Sequence, residues 1–180
     1  MNFHELIRLR QSTRKYNDKP VEREKILHCI EAARLAPSAC NSQPWSFIII
    51  DEPQQRNKVA RETYNNVIPF NKFVAEASAI VAVIIEKPTL ISQLGGRIKN
   101  KDFYLIDIGI AAEHFCLQAA EEGLGTCMLG WFNEKNIQDI LNIPKNKRIG
   151  LLITMGYSNV KIRSKIRKPL EKITKYNSYE

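Results

Sequence analysis

An α+β fold, with a mixed central sheet flanked by helices on both faces, is predicted by three features of the chain. Short apolar runs without alternation, at 47–50, 80–85 and 149–155, read as strands buried on both faces, because a half-exposed strand would alternate. Longer segments between them carry apolar residues at helical spacing. Two helices precede the first strand, and strands and helices then interleave, which covers one sheet on both sides. With 180 residues, 44% hydrophobic and 26% charged, the chain is long enough to bury a real core as one domain, 1–180.

The elements follow in order. Residues 2–11 place Phe3, Leu6, Ile7 and Arg10 at helical spacing, and Pro20 separates them from a second helix at 23–36. Ile26, Ile30 and Ala33 form that helix's buried stripe, and Pro37 ends it. Phe47-Ile48-Ile49-Ile50 is the first strand, with Asp51-Glu52-Pro53 as its exit turn and a third helix at 54–64. A second strand at 80–85 leads to a polar, Gly-containing connection at 88–101, the segment whose form the pattern specifies least. Leu105, Ile108, Ala112, Phe115 and Ala119 mark a long, largely buried helix at 103–122, stopped by Gly123. A short strand at 126–129, a helix capped by Asn133 and running to Leu141, and a strand at 149–155 complete the core pattern.

Composition narrows the function classes. The longest apolar run, 79–85, is far short of a membrane span, and the opening residues lack the apolar stretch of a signal peptide, so a cytoplasmic location is the expectation. Cys29, Cys40, Cys116 and Cys127 form no Cys-x-x-Cys pair or regular framework, as expected of free thiols. His4, His28 and His114 share no metal-ligand spacing with a Cys or an acid, so no metal is expected. The net charge of +8 is concentrated: 161–175 holds seven basic residues and one acid, leaving 20 basic against 18 acidic residues elsewhere. Such a basic arm suits nucleic acid, an acidic membrane surface or a single phosphate, and net charge does not choose among them.

Two polar runs carry the chemistry. Arg10-Gln11-Ser12-Thr13-Arg14 supplies two guanidinium forks and two hydroxyls beside a helix end, a donor set suited to a phosphoryl dianion. Lys165-Ile166-Arg167 repeats the basic spacing far along the chain. Pro37-Ser38-Ala39-Cys40-Asn41-Ser42-Gln43-Pro44-Trp45 is a loop of small hydrogen-bonding residues closed by Pro44 and Trp45. The Gly-rich stretch from Gly123 to Gly130 is not a dinucleotide fingerprint, since its third Gly comes too late and it runs from helix into strand.

In these motifs the chain resembles the nitroreductase family of flavin mononucleotide (FMN) enzymes, whose Arg-x-Ser-x-Arg/Lys and Pro-Ser-x-x-Asn-x-Gln-Pro-Trp segments recur here in order and spacing. Gly123-Leu124-Gly125-Thr126-Cys127, Ile143-Pro144, Gly156-Tyr157 and Arg167-Lys168-Pro169-Leu170 extend the resemblance over nearly the whole chain. It implies a nitroreductase-like, intertwined homodimer with FMN sites at the interface, the basic extension 157–180 packing on the partner. Arg10, Ser12, Lys165 and Arg167 would hold the phosphate, and Gln11 would belong to the cofactor-binding set. Arg14 would face the N1/C2 side of the ring and stabilise its reduced anion. Met128 and Leu129 would run beside the isoalloxazine, and a backbone N–H near Gly130 would donate to N5. Pro37, Ser38 and Asn41 would reach the flavin bound mainly by the other subunit, and Asn71 would meet the pyrimidine edge.

The implied activity takes hydride from NADH or NADPH and passes two electrons to a nitroaromatic, quinone or similar small acceptor in the same pocket. No motif offers a paired acid and base or an activated nucleophile, so the cofactor must do the chemistry. Arg14 and Gly130 are therefore the residues expected to act on it directly. Two other readings use fewer of the motifs: a basic module binding nucleic acid or a membrane surface without redox activity, and a flavin-dependent dehalogenase or flavin-destroying enzyme. The first leaves the two N-terminal motifs unexplained. The second needs lid residues that 88–101 does not display.

Overall fold

The computed structural model describes residues 1–65 and 69–179. Strand β1 (Trp45–Ile50), β2 (Ala79–Ile85), β3 (Gly125–Leu129) and β4 (Arg148–Gly156) form one sheet in the order β1-β2-β4-β3. All three pairings are antiparallel, so the expected mixture of directions is reduced to one isolated parallel bridge, Ser12 to Thr126, outside the ladder. Burial on both faces produces the same unbroken apolar run in either direction, and the connecting helices decide which way the chain returns.

Alternate residues of β2 feed two cores. Ala79, Val81 and Val83 face helices α2 (Arg23–Arg34) and α5 (Phe103–Glu121), whereas Ile80, Ala82 and Ile84 face α3 (Pro53–Arg61) and α6 (Glu134–Leu141). Each fully buried Val or Ile contributes about 1.5–3 kcal/mol. The α2–α5 contact is close because Ala33, Ala111, Ala112 and Ala119 keep both helices slim there, with Ile26 and Phe115 filling the remaining space. Helix α1 (Phe3–Leu9) starts with a reciprocal cap in which the Asn2 side chain accepts from the Glu5 N–H and Glu5 accepts from the Asn2 N–H.

Expected helices end within a turn of the observed ones, and α6 begins after Asn133 and ends at Leu141 as read. The connection at 88–101 forms a helix, α4 (Leu90–Lys99), capped by Thr89. Leu90, Ile91, Leu94 and Ile98 recur at helical spacing, a signal that the Gly pair and polar flanks obscured, and all four are exposed here. A short 3-10 turn at Lys72–Glu76 also escaped notice. No helix among the described residues is long and apolar enough to cross a membrane. Beyond β4 the extension carries only α7 (Leu170–Ile173), with no buried residue, and residue 180 lies outside the described residues.

Candidate functional site

Helix α1 stops at Arg10, whose backbone turns extended and sends 11–16 across the outer edge of β3. The Thr13 N–H donates to the Thr126 carbonyl at 2.8 Å. That crossing is tight: a Cβ on Gly125 would stand 2.6 Å from Thr13 Oγ1. It fixes the first motif against the sheet.

The basic extension returns to the same place in its own chain. The Ser158 hydroxyl donates to the Lys15 carbonyl, and the Asn17 N–H to the Tyr157 carbonyl. Gln11 Oε1 then accepts from the Arg163 backbone N–H at 3.2 Å and from its Nε at 3.3 Å, while Arg163 Nη2 donates to the Ser12 carbonyl at 2.9 Å. Lys165 Nζ donates to the Arg10 carbonyl. Residues 157–165 thus pack on this chain's own first motif, while the extension stays largely exposed, Ile166 at 93%.

Together these contacts enclose an open cleft of about 390 Å³ lined by Arg10, Gln11, Ser12 and Arg14 on one wall and residues 163–167 on the other. Five cations therefore meet there: Arg10, Arg14, Arg163, Lys165 and Arg167. Glu113 of α5 pairs with Arg10, at 3.1 Å from its Nε, but no carboxylate lines the cleft. Burial, and then the nearby charges of Arg10 and Arg167, push the Lys165 pKa below its ordinary value. Crowded cations of this kind are relieved by an anion. Arg14 is exposed and makes no hydrogen bond or ion pair among the described residues, so its whole fork is available.

Ser12 also stands beside the Cys127 thiol, which burial pushes above its usual pKa despite Arg14 and Arg10. A buried neutral thiol is a packing group rather than a nucleophile. Cys40, in contrast, is exposed in the 37–45 loop.

Met128, Leu129 and Gly130 lie at the far end of β3, an edge strand. The Thr126 carbonyl points outward to Thr13, so strand alternation directs the amides of Met128 and Gly130 to that same outer side. Gly130 is exposed, and a Cβ there would meet nothing within 4 Å. Asn71 is a different matter. Only 4% exposed, it donates from Nδ2 to the carbonyls of Thr63 and Trp131, at 3.1 and 3.2 Å. One donor hydrogen thus goes to the turn after α3 and the other to the loop that follows Gly130, which leaves Oδ1 as the group Asn71 could turn to a ring.

Pro37, Ser38 and Asn41 do not line the cleft. Their loop folds on itself: Ser38 Oγ accepts from the Gln43 N–H at 2.9 Å, and Gln43 Nε2 donates to Asn41 Oδ1 at 3.0 Å. Cys40, Asn41 and Gln43 all adopt positive φ, of 53°, 50° and 44°. Each such non-Gly residue costs about 1–3 kcal/mol. The loop is tied down by buried Asp107 of α5, whose Oδ1 accepts from the Ala39 N–H at 3.1 Å, and by Ser42, whose hydroxyl accepts from the Thr89 N–H.

Arg163 is the cleft residue that motif reading passed over. Lys161, Arg163, Lys165 and Arg167 alternate with other residues, and this period of two was the available signal. Glu113 had none, being one polar residue on a long helix.

The sequence model described as the Nitroreductase family matches residues 7–157 of this chain. A nitroreductase family protein of Clostridium difficile 630 shares 30% identity and superposes with a TM-score of 0.79, with 99% of each chain covered. An FMN-dependent nitroreductase of C. difficile R20291 shares 26% identity at a TM-score of 0.76, covering 97% of this chain and 98% of that one. The oxygen-insensitive NADPH nitroreductase of Helicobacter acinonychis is 27% identical over 177 residues, 81% of this chain and 82% of that protein. The family match spans every element from α2 to β4, and on it the chain belongs to the nitroreductase family.

Proposed function

We propose that this protein is an FMN-dependent oxidoreductase that takes hydride from NADH or NADPH and reduces a nitroaromatic, quinone or similar small acceptor by a ping-pong mechanism. One observation carries the reading: five cations and Ser12, drawn from opposite ends of the chain, converge on one cleft that no carboxylate lines. That donor set fits a phosphate monoester. Charge-assisted hydrogen bonds contribute roughly 1.5–3 kcal/mol each. Three or four supply a large share of the ~8 kcal/mol that micromolar affinity requires.

Arg10, Ser12, Lys165 and Arg167 would hold the phosphate, with Gln11 and Arg163 bracing the two walls. When bound, FMN supplies a two-electron carrier able to accept hydride from a nicotinamide and release it to a second substrate. The chain's own task is orientation and charge. Arg14 offers an unpaired guanidinium to the negative charge that reduction develops, favouring the reduced state. Gly130 offers an outward N–H at an open position, and Met128 and Leu129 an apolar edge beside it. None of these groups has to exchange a proton at neutral pH.

The self-contained 37–45 loop supports a homodimer in which Pro37, Ser38 and Asn41 serve the partner's cofactor, with the exposed outer side of the extension 157–180 packing on the partner as well. Four free thiols and a nicotinamide donor favour the cytoplasm.

The test is spectroscopic. Purified protein should be yellow, and anaerobic NADH or NADPH should bleach the flavin absorbance, with parallel double-reciprocal lines when the acceptor is varied. A bound flavin that stays oxidised with both nicotinamides would end the oxidoreductase reading.

A further inference from the structure

A buried hydroxyl chain runs beneath the cleft, and nothing in the binding set accounts for it. Tyr16 is 7% exposed and Thr154 of β4 is wholly buried. The Tyr16 hydroxyl lies 2.9 Å from the Thr13 carbonyl and 2.8 Å from Thr154 Oγ1, which is 3.3 Å from the Cys127 carbonyl. Two hydroxyl protons serve these contacts. The two shorter ones are satisfied when Thr154 donates to Tyr16 and Tyr16 donates to the Thr13 carbonyl.

The backbone beneath is cut to fit. Gly125 and Gly156 are register partners on β3 and β4. A Cβ on Gly125 would collide with Thr13, and one on Gly156 would stand 2.9 Å from Tyr16 Cδ1. The two glycines form a saddle over which 13–16 passes, and the hydroxyl chain pins the segment there. Burial pushes the Tyr16 phenol far above its usual pKa, so it remains a neutral donor at every working pH.

We infer that Tyr16, held by Thr154, is a positioning residue for the cofactor phosphate: it locks 12–14 on the Gly125–Gly156 saddle and so sets where Ser12, Arg10 and Arg14 stand. The inference rests on the cleft being the FMN phosphate site. Tyr16 touches neither phosphate nor ring in this scheme. Its effect passes through the Thr13 carbonyl, in the middle of the motif.

The test uses the full chain with Tyr16→Phe, Thr154→Val and Thr154→Ser, and reads FMN and riboflavin affinities together. Loss of this one bond should weaken FMN about tenfold, the size of a single well-made hydrogen bond. Riboflavin, which lacks the phosphate, should stay within about twofold, and Thr154→Ser, which keeps the hydroxyl, should behave as wild type. A second reading needs no flavin. Hydrogen exchange at the Thr13 amide should quicken about tenfold in Tyr16→Phe, while the Ile153 amide in the sheet centre keeps its rate. A wild-type preference for FMN that survives intact in Tyr16→Phe would overturn the inference alone. Equal wild-type affinity for FMN and riboflavin would overturn the phosphate reading beneath it.

Discussion

The basic cleft and the 37–45 loop are comparably polar, yet they dispose of their hydrogen bonds in opposite ways. In the cleft, donors from residues 10–14 and 163–167 face inward with no carboxylate among them. In the loop, Ser38, Asn41, Ser42 and Gln43 turn their hydrogen bonds on one another and on Thr89, under backbone strain at three positions. Both hang from α5, the cleft through Glu113 and the loop through Asp107, about 9 Å apart along the helix axis. The contrast teaches that equal polarity can leave donors open to an anion in one place and close them within the chain in another. A loop already satisfied and strained is rigid, and a rigid loop can present a fixed edge to another subunit at little entropic cost.

The largest expected effect tests the cleft. Arg10→Ala with Arg167→Ala removes two charged donors, and FMN affinity should fall by about a hundredfold or more while riboflavin affinity holds. Calorimetric titration with both ligands reads this directly, and equal losses would break the contrast between the cleft and the rest of the molecule. A mixed dimer sharpens it further. If the loop serves the partner's cleft, one subunit carrying the cleft variant and another carrying Ser38→Ala with Asn41→Ala leave one complete site. Flavin occupancy should then return to half of wild type, against almost none if loop and cleft serve the same chain.

Arg14→Gln should keep FMN bound yet slow anaerobic reduction by NADH or NADPH about tenfold or more, since a fixed charge on the reduced ring is lost. Stopped-flow absorbance at the flavin band checks it. A smaller effect comes from Lys165. Its ordinary pKa is lowered by burial and by Arg10 and Arg167, so the charged amine is disfavoured in the free cleft and the resulting cost to stability fades as pH rises through that lowered value. A bound phosphate favours the charged amine. FMN affinity should therefore decline as pH is raised above the free-state pKa, by at most about tenfold per pH unit, whereas riboflavin affinity stays level.

The smallest effects compare two glycines. Gly125→Ala, meeting Thr13, should cost about 1–3 kcal/mol in thermal or denaturant unfolding. Gly130→Ala, facing open space, should be close to neutral in stability.

Much of this was legible in the chain. The runs 47–50 and 80–85 announced strands, and Gly123 announced the end of α5, because burial and chain reversal leave their marks locally in residue type, although only β2 is buried on both faces and β1 leaves Ile49 exposed. The spaced cations of 10–14 and 165–167, read as one split basic set, do meet in one cleft. Other facts lie in no local pattern. That every ladder pairing is antiparallel, that 157–165 folds back on its own chain, that Asn71 spends its donors on Thr63 and Trp131, and that Tyr16 reaches Thr154 all depend on residues 8 to 155 positions apart meeting in space. Residue types record the environment a side chain needs. The partner that provides it is decided only when the sheet and helices close around a common core.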